Sequence, residues 1–379
     1  MEADKDSGSE GAAPGEPHNF GMYPVSESTE LTPEQCRQLD DSLLESNTTA
    51  YWRARIDALL QEPTPVDYGS GLASEIAGLG LDPRMLTMTE PTQAERETQR
   101  ALDAFALRHH IAESLVRLVH AVITAGSNHD VSIWALVADN RDSGAELVKA
   151  LRKVEEEGVP GLDLFLPVDE ARRVQQAPSE EVDDALRMHW QWVDRAMRLL
   201  VSDGLDHNAG NNKLKHGFAV RARDNLRIEF TTTPPNPDGT MPLSAFDNSF
   251  PLIDAHAIEF LERLPGWHSH AGSWEVSVMN LRPKELLAEA LMFTVVWSSV
   301  VASAASRRLV GRDKTAPAHV GLALGPAPSQ VVRKAVGLRQ GLTATKGGAP
   351  ARPFTVDTGS STVTLRPQGP GTHGRLVDG

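Results

Sequence analysis

Cysteine is nearly absent from this chain: Cys36 stands alone among 379 residues. One thiol makes no intramolecular disulfide and no multi-thiolate metal centre, so a reducing, cytoplasmic setting is expected. Lysine is scarce as well, with nine among 37 basic residues, and acids outnumber bases 51 to 37 for a net charge of −14. A general nucleic-acid-binding surface draws on clustered Lys and Arg, and this balance argues against one, although a local basic patch is compatible with it. Residues 1–16 are acidic and Gly-rich, without the basic start and apolar core of a secretory signal. No Gly-rich phosphate loop is present: Gly69-Ser70-Gly71 and Gly321–Gly325 lack the pattern. No Gly-x-Ser-x-Gly nucleophile elbow occurs. The longest apolar stretch, Ala290 to Ser306, carries five Ser or Thr and stops short of the about 20 residues that span a bilayer. It reads as a buried core helix, and no membrane partner is expected.

What is present is the makeup of a folded protein. Hydrophobic residues are 40% of the chain, charged residues 23%, and seven tryptophans supply large anchors for a core. Residues 1–30 read as a disordered tail. Thr32-Pro33-Glu34 opens a helix with a capping residue, a proline at the first helical position and an acid in the first turn. That helix is expected to run to Leu60. A second covers 92–124, with Ala101, Phe105, Ala112, Leu115, Val119 and Val122 at helical spacing. A shorter one covers 143–157. Val182, Leu186, Trp190, Val193, Met197 and Leu200 form an apolar stripe on a helix over 180–202, and Pro283 opens a fourth long helix to Leu309.

After Gly217 the period becomes alternating. Phe218, Val220 and Ala222 share one side, and Leu226, Ile228 and Phe230 repeat the pattern. A three-residue loop at Arg223–Asn225 pairs Ala222 with Leu226 and keeps one face apolar, so a short hairpin is expected there. Residues 231–251 read as a loop, 253–264 as helical, Trp274, Val276 and Val278 as a short strand, and everything from Gly341 as a flexible tail. The fold class is therefore mostly α: a helical bundle with a small β-hairpin element after residue 217. The helical region is 31–217. Residues 218–340 either pack on the bundle or form a small α+β domain, and 341–379 form a tail.

One polar segment draws most of the chemistry-bearing residues together. Asp206 to Gly217 holds His207, His216, three asparagines, Lys213 and Lys215. On a helix starting near Ala209 with Asn208 as cap, Asn211, Asn212 and His216 can share a face. A neutral imidazole serves as a base, and neighbouring amides or lysines hold an anion. The plain alternative is a helix-to-hairpin junction in which Asn, Gly and His only cap and turn the chain.

The spacing Asn211-Asn212-Lys213-Leu214-Lys215-His216 resembles the motif of the higher eukaryotes and prokaryotes nucleotide-binding (HEPN-like) helical domains: an Arg, a polar residue, three residues, then His. The resemblance covers the motif and the long helix before it. It implies that His216 is the catalytic histidine, Asn212 the polar position, and Asn211 the residue where the family has arginine. It further implies RNA as substrate or ligand and a site formed across a homodimer. Asparagine lacks the charge with which the family's arginine holds phosphate; Lys213 or Lys215 would have to supply it as a point charge.

Two other readings stand beside this one. Asp254, His256, His268 and His270 form a candidate divalent-metal set for a hydrolase, since a His-x-His pair on a strand points both imidazoles one way. Alternatively, the acidic surface and tails serve a protein partner without catalysis. No cofactor motif is present, and no cofactor is expected.

Overall fold

The structure is a computed structural model. It describes residues 30–61, 77–80, 92–139, 141–158, 161–201, 206–216, 219–231, 233–234, 236–237, 240, 242–263, 274–310, 322, 325–333, 337–341, 354–357 and 362–365. The expected N-terminal tail up to residue 29, and His268 and His270, lie outside the described residues.

Helix formation follows local signals in the chain. Thr32 caps α1 (Pro33–Glu45): its Oγ1 accepts from Gln35 N at 3.3 Å, and Gln35 Oε1 accepts from Thr32 N at 2.9 Å. The helix expected to run unbroken to Leu60 is interrupted. Asn47 caps a new helix, α2 (Thr48–Leu60), by accepting from Ala50 N at 3.0 Å. Thr92 and Glu95 form a second capping box that opens α3 (Gln93–Ala125), and Gly126, at φ +50°, ends it. Four shorter or medium helices follow: α4 (Ile133–Ala138), α5 (Gly144–Glu157), α6 (Leu162–Phe165) and α7 (Val168–Gln176). Then come α8 (Glu180–Leu200) and α9 (His207–Lys215). The last two helices are α10 (Pro283–Arg308) and the single turn α11 (Pro328–Val331).

The core lies where α3, α8 and α10 pack together. Ala101, Phe105, Ala112, Leu115 and Val119 on α3, Trp192, Val193, Ala196 and Met197 on α8, and Ala290, Phe293, Val296 and Val300 on α10 are all buried in one cluster. Trp192 and Phe293 meet edge to face at 5.7 Å. Helix α10 is long and apolar enough to cross a membrane, but most of its apolar window is buried inside the fold. Cys36 is buried too, with its thiol donating to the Asp130 carbonyl at 3.2 Å.

The β part is larger than the hairpin expected from the alternation. Among the described residues six strands form one antiparallel sheet in sequence order: β1 (Val220–Thr231), β2 (Ser249–Arg263), β3 (Trp274–Asn280), β4 (Gly337–Gly341), β5 (Phe354–Asp357) and β6 (Thr362–Leu365). The chain does not turn at Arg223–Asn225. It continues, and Ala222 pairs with Ile258 and Val220 with Phe260. The register shifts between Arg223 and Leu226, where β1 holds one extra residue, and again beyond Ile228, where β2 does. The extra residue breaks the alternation relative to β2 at this point, and the local pattern of Arg223–Asn225 does not distinguish such a bulge from a turn. Pairing with β2 wins because it buries Ile258 and Phe260 against the helices. The same strand corrects the helical expectation for 253–264, and β5 and β6 occupy part of the expected tail.

Candidate functional site

Helix α9 carries the polar segment. Asp206 caps it, accepting from Ala209 N at 2.7 Å, and His216 is its C-terminal cap, its N–H bonded to Asn212 O at 2.9 Å. Lys213 and Lys215 sit in the last turn, where positive charge complements the helix dipole. The motif residues do not converge. Asn211 is buried, whereas Asn212, Lys215 and His216 are exposed, and Asn212 Nδ2 reaches only Asn208 Oδ1 at 3.4 Å. In the second candidate set, His256 lies on β2 with Nδ1 3.2 Å from Thr98 Oγ1 and Nε2 3.8 Å from Glu97. Among the described residues no three His, Cys, Asp or Glu side chains gather as a metal site, and nothing is described of the Asp254 side chain.

The other histidine of the segment is placed differently. His207, the first residue of α9, packs against Phe105, and its Nδ1 accepts from Arg108 Nη2 at 3.2 Å. Arginine has no acceptor, so the ring proton of the neutral imidazole is on Nε2. Arg108 is 1% exposed in the middle of α3. Its guanidinium lies 5.1 Å from the Phe105 ring centre, and Nη1 donates to Glu289 Oε2 at 3.1 Å. Glu289, on α10, is equally buried, and its other oxygen accepts from Arg195 Nε of α8 at 2.7 Å. A chain of hydrogen bonds, His207–Arg108–Glu289–Arg195, thus ties four helices together.

Burial and the neighbouring guanidinium groups act in the same direction on the histidines here. Desolvation, then Arg108 and Arg195, hold the His207 pKa well below the usual imidazole range. His109 is lowered to about 4 by desolvation and then by Arg108. Burial also lowers Arg108, and Glu289 opposes that. Arg108 Nε and His109 Nδ1 are buried without a hydrogen-bond partner among the described residues.

This chain of side chains opens into a cleft. A narrow part of about 40 Å³ is lined by Arg108, Arg195, His207, Asn280, Arg282, Glu285, Glu289 and Arg333. A wider part of about 330 Å³ runs along α8 beneath α11, between Gln191, Asp194, Arg195 and Arg198 on one side and Pro328, Ser329, Val332 and Arg333 on the other. The two meet at Arg195, Val332 and Arg333. The segment before α11 is anchored by Trp192 Nε1 donating to Pro326 O at 3.1 Å. The N-terminal end of α10 also faces the narrow part through Arg282 and Glu285, adding its positive dipole end.

No family model, no curated protein and no solved structure matches this chain. The site therefore stands on its own residues. Sequence reasoning missed Arg108, Arg195 and Glu289, yet a signal for two of them exists. Arg108 falls on the apolar stripe between Phe105 and Ala112, and Glu289 lies beside Ala290 among buried apolar residues of α10. A charge on a buried face needs a partner from another element.

Proposed function

We propose that this chain is a cytoplasmic binding protein for a compact phosphorylated ligand, with the arginine-lined cleft as its site. The observation that carries this reading is a concentration of positive charge. In a chain of net charge −14, four arginines line the narrow cleft against two glutamates, leaving two positive charges unbalanced there. His207, held neutral, adds no charge and offers Nε2–H as a donor. Guanidinium groups fixed by Glu289 are already oriented, so little is lost in ordering them around an oxyanion. Phosphate recognition is also what the HEPN-like resemblance implies, but this reading moves the anion from the exposed His216 to the Arg108–Arg195 cleft. Within one chain Asn211 is buried and His216 exposed, which favours the Arg108–Arg195 cleft as the anion site.

Calorimetric titration with inorganic phosphate tests this reading. The wild-type chain should bind it, and Arg195→Gln should bind about tenfold to a hundredfold more weakly, as expected for one charged hydrogen bond. Arg333→Gln alters an exposed residue and should weaken binding with the fold intact. Equal affinity in the wild type and both variants refutes the proposal, as does a wild type that binds no phosphate.

A further inference from the structure

We infer that the ligand of this cleft is a phosphate monoester of a polar, non-aromatic body, of the chemical class of sugar phosphates, with the phosphate in the narrow part and its hydroxyls along the wide part. The inference rests on the reading of the cleft as an anion site and narrows it. Size gives the first argument. A water-sized group takes about 10–15 Å³ by this measure. The narrow part, at about 40 Å³, is of the scale of a few water-sized groups and so of a single oxyanion. A diphosphate would have to extend into the wide part.

Charge gives the second argument. The surplus of two positive charges matches a phosphate monoester, which carries about −1.5 to −2 near neutral pH. A phosphodiester, with a single charge, leaves the arginines undercompensated. Arg108 and Arg195, both held by Glu289, bring two of these charges to the narrow part in fixed orientation.

The walls of the wide part give the third. Its volume of about 330 Å³ lies at the small end of the range for organic ligands. Gln191 and Ser329 offer amide and hydroxyl groups of the kind that pair with ligand hydroxyls, while Asp194 is held by Arg152 and Arg198. Among the described residues no Phe, Tyr or Trp lines either part, and the one imidazole, His207, lines only the narrow part, so a nucleobase in the wide part would have no ring to stack on.

The test is calorimetric titration of the full chain with inorganic phosphate, ribose 5-phosphate, adenosine 5′-monophosphate and ribose. Ribose 5-phosphate is expected to bind at least about tenfold more tightly than inorganic phosphate, a gap of the size set by one or two added hydrogen bonds. Adenosine 5′-monophosphate should bind no more tightly than ribose 5-phosphate, and ribose alone should not bind. Gln191→Ala, at an exposed helix position, should reduce the ribose 5-phosphate advantage and leave the inorganic phosphate affinity unchanged. If inorganic phosphate binds and Arg333→Gln weakens it, but ribose 5-phosphate gains less than about threefold, the anion site stands and this inference falls. A markedly tighter adenosine 5′-monophosphate likewise overturns it in favour of a nucleotide. If no anion binds at all, the anion-site reading falls with it.

Discussion

Glu289 shows how much a single carboxylate can organise. Both of its oxygens are engaged by guanidinium groups, one of them on the fully buried Arg108. Removing one partner of a buried pair leaves the other charge uncompensated, so Glu289→Ala is expected to destabilise the fold by about 3–5 kcal/mol. Urea unfolding would measure this, and a loss below about 1 kcal/mol would mean that water reaches Arg108 freely. His109 sets a pH dependence at the same scale. Its pKa is about 4 in the fold and about 6.5 when the chain is unfolded, so the unfolded state takes up the proton first as pH falls. The stabilisation is complete above about pH 6.5 and is lost progressively down to about pH 4, amounting to about 3 kcal/mol at most. The lowered His207 acts with the same sign. Unfolding free energies measured between pH 7 and pH 4.5 should therefore fall, and His109→Gln should flatten the slope. His216 is the contrasting case: it is exposed at a helix end, so His216→Ala should shift stability by no more than about 0.5 kcal/mol.

At the scale of elements, α9 shows how the sheet and the bundle join. Gly210 faces Phe260 of β2 and Phe105 of α3, and a Cβ built there would come within 3.0 Å of the Phe260 ring. That absence of a side chain lets α9 sit down on the sheet and brings His207 within reach of Arg108. Gly210→Ala is expected to cost about 1–3 kcal/mol through this crowding, against a helix-propensity gain of up to about 1 kcal/mol. Thermal unfolding would check the net loss; a stabilised variant would mean that Phe260 moves aside easily. The helices were the readable part of the chain because their signals are local: Thr92 with Glu95, Ser179 before Glu180, and the apolar stripes of α3 and α8. The strands were less readable because their evidence lies far away in sequence. The pairing of Ala222 with Ile258 spans thirty-six residues, and no local pattern at Arg223–Asn225 distinguishes a bulge from a turn. In β2, Ala257 and Ile258 are both buried, on opposite faces, so the alternation that marks a one-sided strand is blurred into a helix-like run.

For the whole molecule, the distribution of charge matters more than its total. The polar segment was legible as unusual, but only His207 of its two histidines reaches the cleft. The other parts of the site come from α3, α8, α10 and the turn around 328–333, which only the packed fold brings together. The same arrangement separates two kinds of phosphate ligand. A polyanion covers a wide surface and here would meet the −14 charge of the chain around the arginines. A compact phosphate enters a partly buried cleft, where mobile ions screen less than they do at an open surface. A polymer held through six to ten phosphates would lose about 10³–10⁵ in affinity between 50 and 200 mM salt. A single phosphate held in the cleft should lose no more than about tenfold over the same range, because it displaces few counterions. Titrating ribose 5-phosphate and a single-stranded RNA at both salt concentrations separates the cases. A shallow dependence for the small ligand, with no saturable RNA binding at 200 mM, is the expected result. Saturable RNA binding that survives at 200 mM and that Arg195→Gln abolishes would make the cleft part of a longer phosphate track.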